Sequence, residues 1–143
     1  MEIRDGLGLS PRKAAYIRFI CEKEGQVRTN DLAARFSVDP STVTKTISEL
    51  VDDGLLTHTP YYGVRLSDAG RSYAAFLVKR HRILSLIFTH FGLSDEQACD
   101  EVSRFESLVS KDAIDRMCCA MGHPRQGVCG EITHDTGCLD HVR

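Results

Sequence analysis

The sequence predicts a mainly α-helical protein that opens with a winged helix-turn-helix, and three observations predict it. Apolar residues recur at helical spacing through most of the chain. The first half orders its elements as helix, short helix, tight turn and helix. Two short β-prone runs joined by a turn follow directly.

Each element has its own signal. Ser10-Pro11 is a cap followed by proline in a first turn, after which Ala14, Ile17, Ile20 and Cys21 share a face, so that Cys21 is expected in the core; Gly25 stops the helix. Thr29 is expected to cap a short helix with Leu32, Ala33 and Phe36 inward. After SVDP, a helix from about Pro40 to Asp52 buries Val43, Ile47, Leu50 and Val51, and Gly54 ends it. Leu55–Thr59 and Val64–Leu66 read as two strands joined through Pro60-Tyr61-Tyr62-Gly63. Ser67 caps a long helix from about Asp68 to Phe91, stopped by Gly92. Two further helices are expected near Ser94–Val109 and Lys111–Met121, and the tail beyond Gly122 has no periodicity.

Composition bounds the function. The 143 residues are 42% hydrophobic and 27% charged, as in an ordinary globular chain. A net charge of −2 excludes a uniformly basic nucleic-acid coat but not a local basic face. Residues 1–80 carry 12 Lys/Arg against 10 Asp/Glu, net +2, whereas residues 81–143 carry 6 against 10, net −4. That split suits a first half facing DNA and a second half receptive to cations. No apolar run approaches the roughly 18 residues of a membrane span, and the start MEIRDGLGLSP lacks the apolar core of a signal peptide, so a cytoplasmic location is expected. No nucleophile elbow, phosphate loop or HExxH is present, so neither an enzyme nor a small organic substrate is expected.

With Val43, Ile47, Leu50 and Val51 inward, the third helix turns Ser41, Thr42, Thr44, Lys45 and Ser48 outward, beginning at Pro40. Short hydroxyls and one cation can approach a duplex closely and bond phosphates or base edges. Thr29 and Asn30 could offer amides and side chains to a phosphate. Tyr61, Tyr62 and Arg65 sit on the wing, within reach of backbone or minor groove. A Ser/Thr-rich face is often only solvated surface; its place in a five-element order is what favours DNA. The modest basicity suits two copies on a two-fold operator.

The segment DLAARFSVDPSTVTKTISELVDDGLLTHTPYYGVRLSDAGR, running on into FLVKRHRIL, closely resembles the metal-dependent repressors of the diphtheria toxin repressor and manganese transport regulator family. CDEVSRFESLVSKDAIDRM and MGHPRQGVCG are also similar to family segments, so that the resemblance covers residues 10–130 or so. It implies a homodimer on double-stranded operator DNA, with a winged-helix domain at 1–73 and a helical dimerisation and metal-binding domain at 74–143. The implied task is metal-dependent control, as a repressor, of metal-uptake or homeostasis genes.

The resemblance also implies ligands. His81 in KRHRIL and Glu106 in SRFES match family metal ligands, Cys99 falls where some members carry a histidine, and Cys129 where a histidine follows the GHP turn. The chain departs from the family at Arg12 and Ala15, which suit no cation, and at Ser103 and Ser107, which replace ligands.

Six cysteines are many for such a chain, and four of them fall in the last 26 residues. The tail supplies Cys118, Cys119, His123, Cys129, His134, Cys138 and His141 as candidate ligands. Thiolates and imidazoles suit zinc, ferrous iron, cobalt or nickel, whereas manganese prefers carboxylates and water. The cofactor expectation is therefore Fe2+, Mn2+ or Zn2+, with the cysteines favouring a softer ion. Cys118 and Cys119 point about 100° apart on a helix, so only one of them is expected to face a shared site. Bland roles remain open: Cys118 as a small packing group, His123 as a hydrogen bonder at a helix end. His58 and His90 are expected at the surface, and Asp95, Glu96, Asp100 and Glu101 on a solvated face. A second functional reading keeps the DNA-binding dimer but makes the cysteines a redox or iron–sulfur sensor.

Overall fold

The computed structural model describes residues 5–139, so His141 lies outside the described residues. The order is α1 (Pro11–Glu22), α2 (Thr29–Phe36), α3 (Pro40–Asp52), β1 (Leu56–Thr59), β2 (Gly63–Leu66), α4 (Asp68–His90), α5 (Asp95–Ser103), a 3-10 turn (Glu106–Leu108), α6 (Lys111–Ala120) and α7 (Thr136–Leu139). The chain is mainly helical, a winged helix-turn-helix followed by a helical unit. It divides into two compact units, one of residues 11–74 and one of residues 5–10 with 75–139.

In the first unit, Tyr16, Ile17, Ile20, Leu32, Val43, Ile47, Leu50, Leu55 and Val64 form the core. Phe36 of α2 lies 4.8 Å from the Tyr16 ring, centroid to centroid, and joins α1 to α2. Ser37, at φ 52°, makes the left-handed turn between α2 and α3. Pro40 then sets the first turn of α3, and Asp39 caps it by accepting the Ser41 N–H at 3.0 Å. β1 and β2 pair antiparallel from Leu56↔Leu66 to Thr59↔Gly63. Gly63, at φ 104°, is obligatory there: a Cβ would stand 2.3 Å from the Val27 carbonyl oxygen.

Several expectations are corrected. Thr29 is the first residue of α2 and not its cap; Arg28 holds the cap position, and its N–H is bound by the Asp31 carboxylate at 3.1 Å. Cys21 is only half-buried, because Tyr16 joins Ala14, Ile17 and Ile20 on the inner face and turns the buried stripe away from it. Val51 is half-buried, and Thr46 takes a core place because its hydroxyl bonds the Thr42 carbonyl at 3.0 Å. Val27, between α1 and α2, exchanges two 2.8 Å hydrogen bonds with Val64 and adds a third rung to the wing. The single helix expected over Ser94–Val109 breaks after Ser103. There Phe105 turns onto Phe88, with ring centroids 5.8 Å apart, and Glu106 onto His81; tertiary contacts override a weak local preference. The featureless tail forms α7 and a Gln126↔Glu131 bridge.

The second unit buries Phe76, Leu77, Ile83, Leu84, Val102, Ile114, Cys118, Cys119, Ile132 and Cys138. Two cations of α4 are buried with them. Lys79 Nζ lies 3.4 Å from Asp115, which also holds Lys111 at 2.7 Å. Arg80 donates to the Gly6 carbonyl at 3.0 Å and lies over the Phe76 ring. Asp115, shared by the two lysines, is the carboxylate that balances the buried charge of Lys79.

Candidate nucleic-acid interface and metal centres

The outward face of α3 exposes Ser41, Thr44, Lys45 and Ser48 as patterned, but its hydroxyls are not equally free. Ser41 donates to the Asp39 carboxylate, and Thr44 donates to the Pro40 carbonyl at 2.9 Å, so both can offer a duplex only their lone pairs. The Ser41 hydroxyl, and then the Ser41 amide, hold the Asp39 carboxyl below the usual carboxylate range. Lys45 and Ser48 are exposed, and Lys45 has no ion pair among the described residues. Thr42 is half-buried. Thr29 is half-buried and Asn30 exposed at the start of α2. On the wing Tyr61 is 96% exposed at φ 70°, and Tyr62 is 65% exposed. Arg65 is exposed on β2 opposite Thr57.

The candidate ligands separate into two clusters within the second unit. The first joins His81 of α4, Cys99 of α5 and Cys129, with donor atoms within 4.8 Å of one another. Glu106 is not among the three donors; its carboxylate sits 2.6 Å from His81 Nδ1. A carboxylate there fixes the tautomer with hydrogen on Nδ1 and leaves Nε2 to bind a cation. Burial, foremost, holds the Cys99 thiol above its ordinary pKa; the Ser85 hydroxyl opposes this and Cys129 adds to it. Cys129 is exposed, on a hairpin in which Gly127 N–H bonds the Gly130 carbonyl at 2.8 Å and Ile132 N–H bonds the Arg125 carbonyl at 2.8 Å. Arg82 of α4 braces that hairpin by donating to the Glu131 carbonyl. Gly130, at φ 148° beside the Arg82 guanidinium, holds a backbone conformation that L side chains rarely adopt.

The second cluster joins Cys118 of α6, His123 just beyond it, His134, and Cys138 of α7. Cys118 Sγ lies 3.6 Å from His123 Nδ1 and 3.4 Å from His134 Nδ1. Cys138 Sγ lies 3.5 and 3.7 Å from the same two nitrogens. Cys119, about 100° around α6 from Cys118, is buried and belongs to neither cluster. Burial, foremost, pushes the Cys118 thiol up to about 12, against the opposing charge of Lys79 and with Cys138 adding to the rise. Burial and then Lys79 keep the His134 ring below its ordinary pKa. Two buried thiols resist ionising together unless a cation stands between them.

Both donor sets fit a thiophilic divalent ion, and neither offers the carboxylate and water shell that manganese prefers. The sequence alone could not divide the candidate ligands into these two groups. His58 and His90 are exposed, as are Asp95, Glu96 and Asp100. Asp39, Ser85 and Arg82 went unremarked in the sequence; only Asp39, directly before Pro40, carried a cap signal that could have found it.

A family model described as "Iron dependent repressor, N-terminal DNA binding domain" matches residues 8–64. A second, "Iron dependent repressor, metal binding and dimerisation domain", matches residues 67–133. The chain belongs to the iron-dependent repressor family. Among curated relatives, the HTH-type transcriptional regulator MntR of Geobacillus kaustophilus is 36% identical over 101 residues, which is 71% of this chain and 72% of that one. MntR of Bacillus subtilis is 32% identical over 101 residues, 71% of each. Among solved structures, a manganese-dependent transcriptional repressor complexed with manganese superposes with TM-score 0.67 at 28% identity, over 87% of this chain and 63% of that one. The hypothetical protein SSo2273 of Sulfolobus solfataricus shares the fold, with TM-score 0.74 at 23% identity over 87% and 96%.

As a member of this family the chain is a metal-dependent transcriptional regulator of the DtxR/MntR type, with a DNA-binding domain and a metal-binding and dimerisation domain. Its relatives are transcriptional regulators, and no described helix is long and apolar enough to cross a membrane. Arg12, Ala15, Ser103 and Ser107 carry no donor to either cluster. Arg12 is exposed on α1, Ser103 is exposed and bonds the Cys99 carbonyl at 2.8 Å, and Ser107 is half-buried. His81, Cys99 and Cys129 all fall inside the matched metal-binding domain, whereas His134 and Cys138 lie beyond its end.

Proposed function

We propose that this chain is a homodimeric repressor of metal-uptake or homeostasis genes, in which a divalent ion at His81, Cys99 and Cys129 favours the DNA-competent shape. The observation that carries this reading is the three-donor cluster with its carboxylate-braced imidazole. Three protein donors leave a tetrahedral ion one open position, and the exposed thiol of Cys129 gives a passing ion direct access. An exchangeable site is what a sensor needs. Two thiols and an imidazole select Zn2+ or Fe2+ over Mn2+. Glu106 acts through His81, holding its ring for the ion.

Residues 1–73 are the DNA reader in this proposal and 74–143 the dimerisation and metal-binding part. α3 enters the major groove with Pro40, Ser41, Thr42, Thr44, Lys45 and Ser48 forward. Thr29 and Asn30 contact a phosphate, and Tyr61, Tyr62 and Arg65 reach the backbone or minor groove. Metal shifts DNA affinity only to the extent that it binds the DNA-competent shape better than the other. The test is duplex binding with metal and with chelator, on wild type and Cys129→Ser. Metal-strengthened binding that the substitution abolishes supports the proposal.

The closeness of the Cys99 and Cys129 sulfurs favours one rival reading, a thiol switch in which a peroxide oxidises this pair to a disulfide. Binding indifferent to chelator but abolished by peroxide would decide for it.

A further inference from the structure

Four donors from three separate segments converge behind α6, outside the three-donor cluster. Of the six donor–donor separations, the four between sulfur and nitrogen are 3.6, 3.4, 3.5 and 3.7 Å. A tetrahedral zinc ion with Zn–S of about 2.3 Å and Zn–N of about 2.0–2.1 Å spaces sulfur and nitrogen about 3.6 Å apart. The observed edges bracket that value on both sides.

Hydrogen bonding alone does not account for the arrangement. His134 Nε2 lies 3.0 Å from the Pro124 carbonyl, which only accepts, so that nitrogen carries the hydrogen and Nδ1 of the neutral ring is bare. Two thiols and the His123 ring then supply at most three protons for four contacts. An ion satisfies all four at once. Two thiolates, two neutral imidazoles and a divalent cation also sum to zero charge, which suits a site whose two sulfurs are buried. The surroundings hold the donors in place: His134 is fixed by Pro124, and the Cys138 N–H donates to Asp135 at 2.8 Å. Asp135 in turn pairs with Lys111 at 3.0 Å. Such outer contacts accompany genuine ligands.

We propose that Cys118, His123, His134 and Cys138 form a closed structural zinc site that fastens the C-terminal segment to α6. With four protein ligands the site has no open position, in contrast to the three-donor cluster, so its ion is resident and not exchanged. α7, at four residues, is too short to persist as a free helix and is held by its cysteine. Two ligands of this site, His123 and His134, also bracket the hairpin that carries Cys129. The clamp therefore sets where Cys129 stands, and that second consequence rests on the sensing role proposed above. His134 and Cys138 fall beyond the matched family domain, so the clamp is an addition peculiar to the tail.

The experiment uses the untagged full chain carrying Cys129→Ser, which removes the three-donor site. After dialysis against EDTA, elemental analysis is expected to find about one zinc per chain. Zinc K-edge X-ray absorption is expected to show two sulfurs at about 2.3 Å and two nitrogens at about 2.0–2.1 Å. Adding Cys138→Ser is expected to release that zinc. A folded Cys129→Ser chain that is metal-free, holds another metal, or has zinc with fewer than two sulfurs overturns the proposal. This readout does not require the tail variant to fold. A wild-type chain that keeps its tail zinc but shows no metal response in DNA binding would leave the clamp intact and refute the sensing role alone.

Discussion

Replacing Glu106 tests how the three-donor cluster is built. Its carboxylate lies 2.6 Å from His81 Nδ1, and both side chains are largely buried, at 7% and 17% exposure. The pair keeps the ring hydrogen on Nδ1 and so leaves Nε2 free to bind the ion. Losing a hydrogen-bonded carboxylate behind a metal-bound imidazole costs about 10- to 100-fold in metal affinity. Glu106→Gln retains an oxygen able to accept the Nδ1 hydrogen but loses the charge, so the expected loss is at the lower end, about 1.4 kcal/mol for tenfold. Glu106→Ala removes the acceptor altogether and belongs at the upper end, about 2.7 kcal/mol. The assay is competition for Zn2+ or Co2+ against a chromophoric chelator, following the exchangeable ion while the tail zinc stays bound. If both variants bind with wild-type affinity, Glu106 does not orient His81 and the reasoning fails.

Three other perturbations have defined outcomes. Lys45→Ala removes one phosphate contact per chain and two per dimer, so the slope of log affinity against log salt is expected to flatten by about 1.8. Fluorescence anisotropy on a duplex from about 50 to 200 mM salt reads it, and an unchanged slope would remove Lys45 from the interface. Gly70→Ala would place a Cβ 2.0 Å from the Leu55 carbonyl oxygen, backbone against backbone. It is expected to lower stability in urea by about 1–3 kcal/mol, and a wild-type midpoint would contradict that packing. Asp39 titrates below its ordinary value because Ser41 hydrogen-bonds its charged form. A depressed carboxylate contributes stability above its unfolded pKa, and that contribution is lost as pH falls through the folded one. The stability gap between wild type and Ser41→Ala should therefore be full at neutral pH and close in acid. A gap independent of pH would show that the hydroxyl does not act through Asp39.

Local chemistry made the winged helix legible. Val43, Ile47 and Leu50 mark one face of α3, Pro40 starts it, and Gly54 at φ 80° stops it. What escaped sequence reading depends on partners distant in the chain. Val27 pairs with Val64, and Lys79 meets Asp115, 36 residues away, inside a core where a lone lysine would not be expected. The break after Ser103 is set by Phe88 and His81, neither of which is visible from the segment itself. The ligand residue types were readable one by one, and the 100° turn between neighbours already separated Cys118 from Cys119. Their division into an open trio and a closed quartet was not readable, because it depends on how the hairpin returns Cys129 to α4 and α5 while α7 returns Cys138 to α6. The hydroxyls of α3 teach the same lesson on a smaller scale. Ser41 and Thr44 face outward as patterned, yet their protons are already committed to Asp39 and Pro40.

The central claim is that an ion held by His81, Cys99 and Cys129 strengthens DNA binding, and one titration addresses it. Duplex affinity is measured for the zinc-clamped wild type while free Zn2+ or Fe2+ is raised from a buffered, chelated baseline, with Cys129→Ser alongside. The account predicts affinity that climbs with free metal in the wild type and stays flat in the variant. Equal affinity across the titration, or a climb that survives Cys129→Ser, would contradict it.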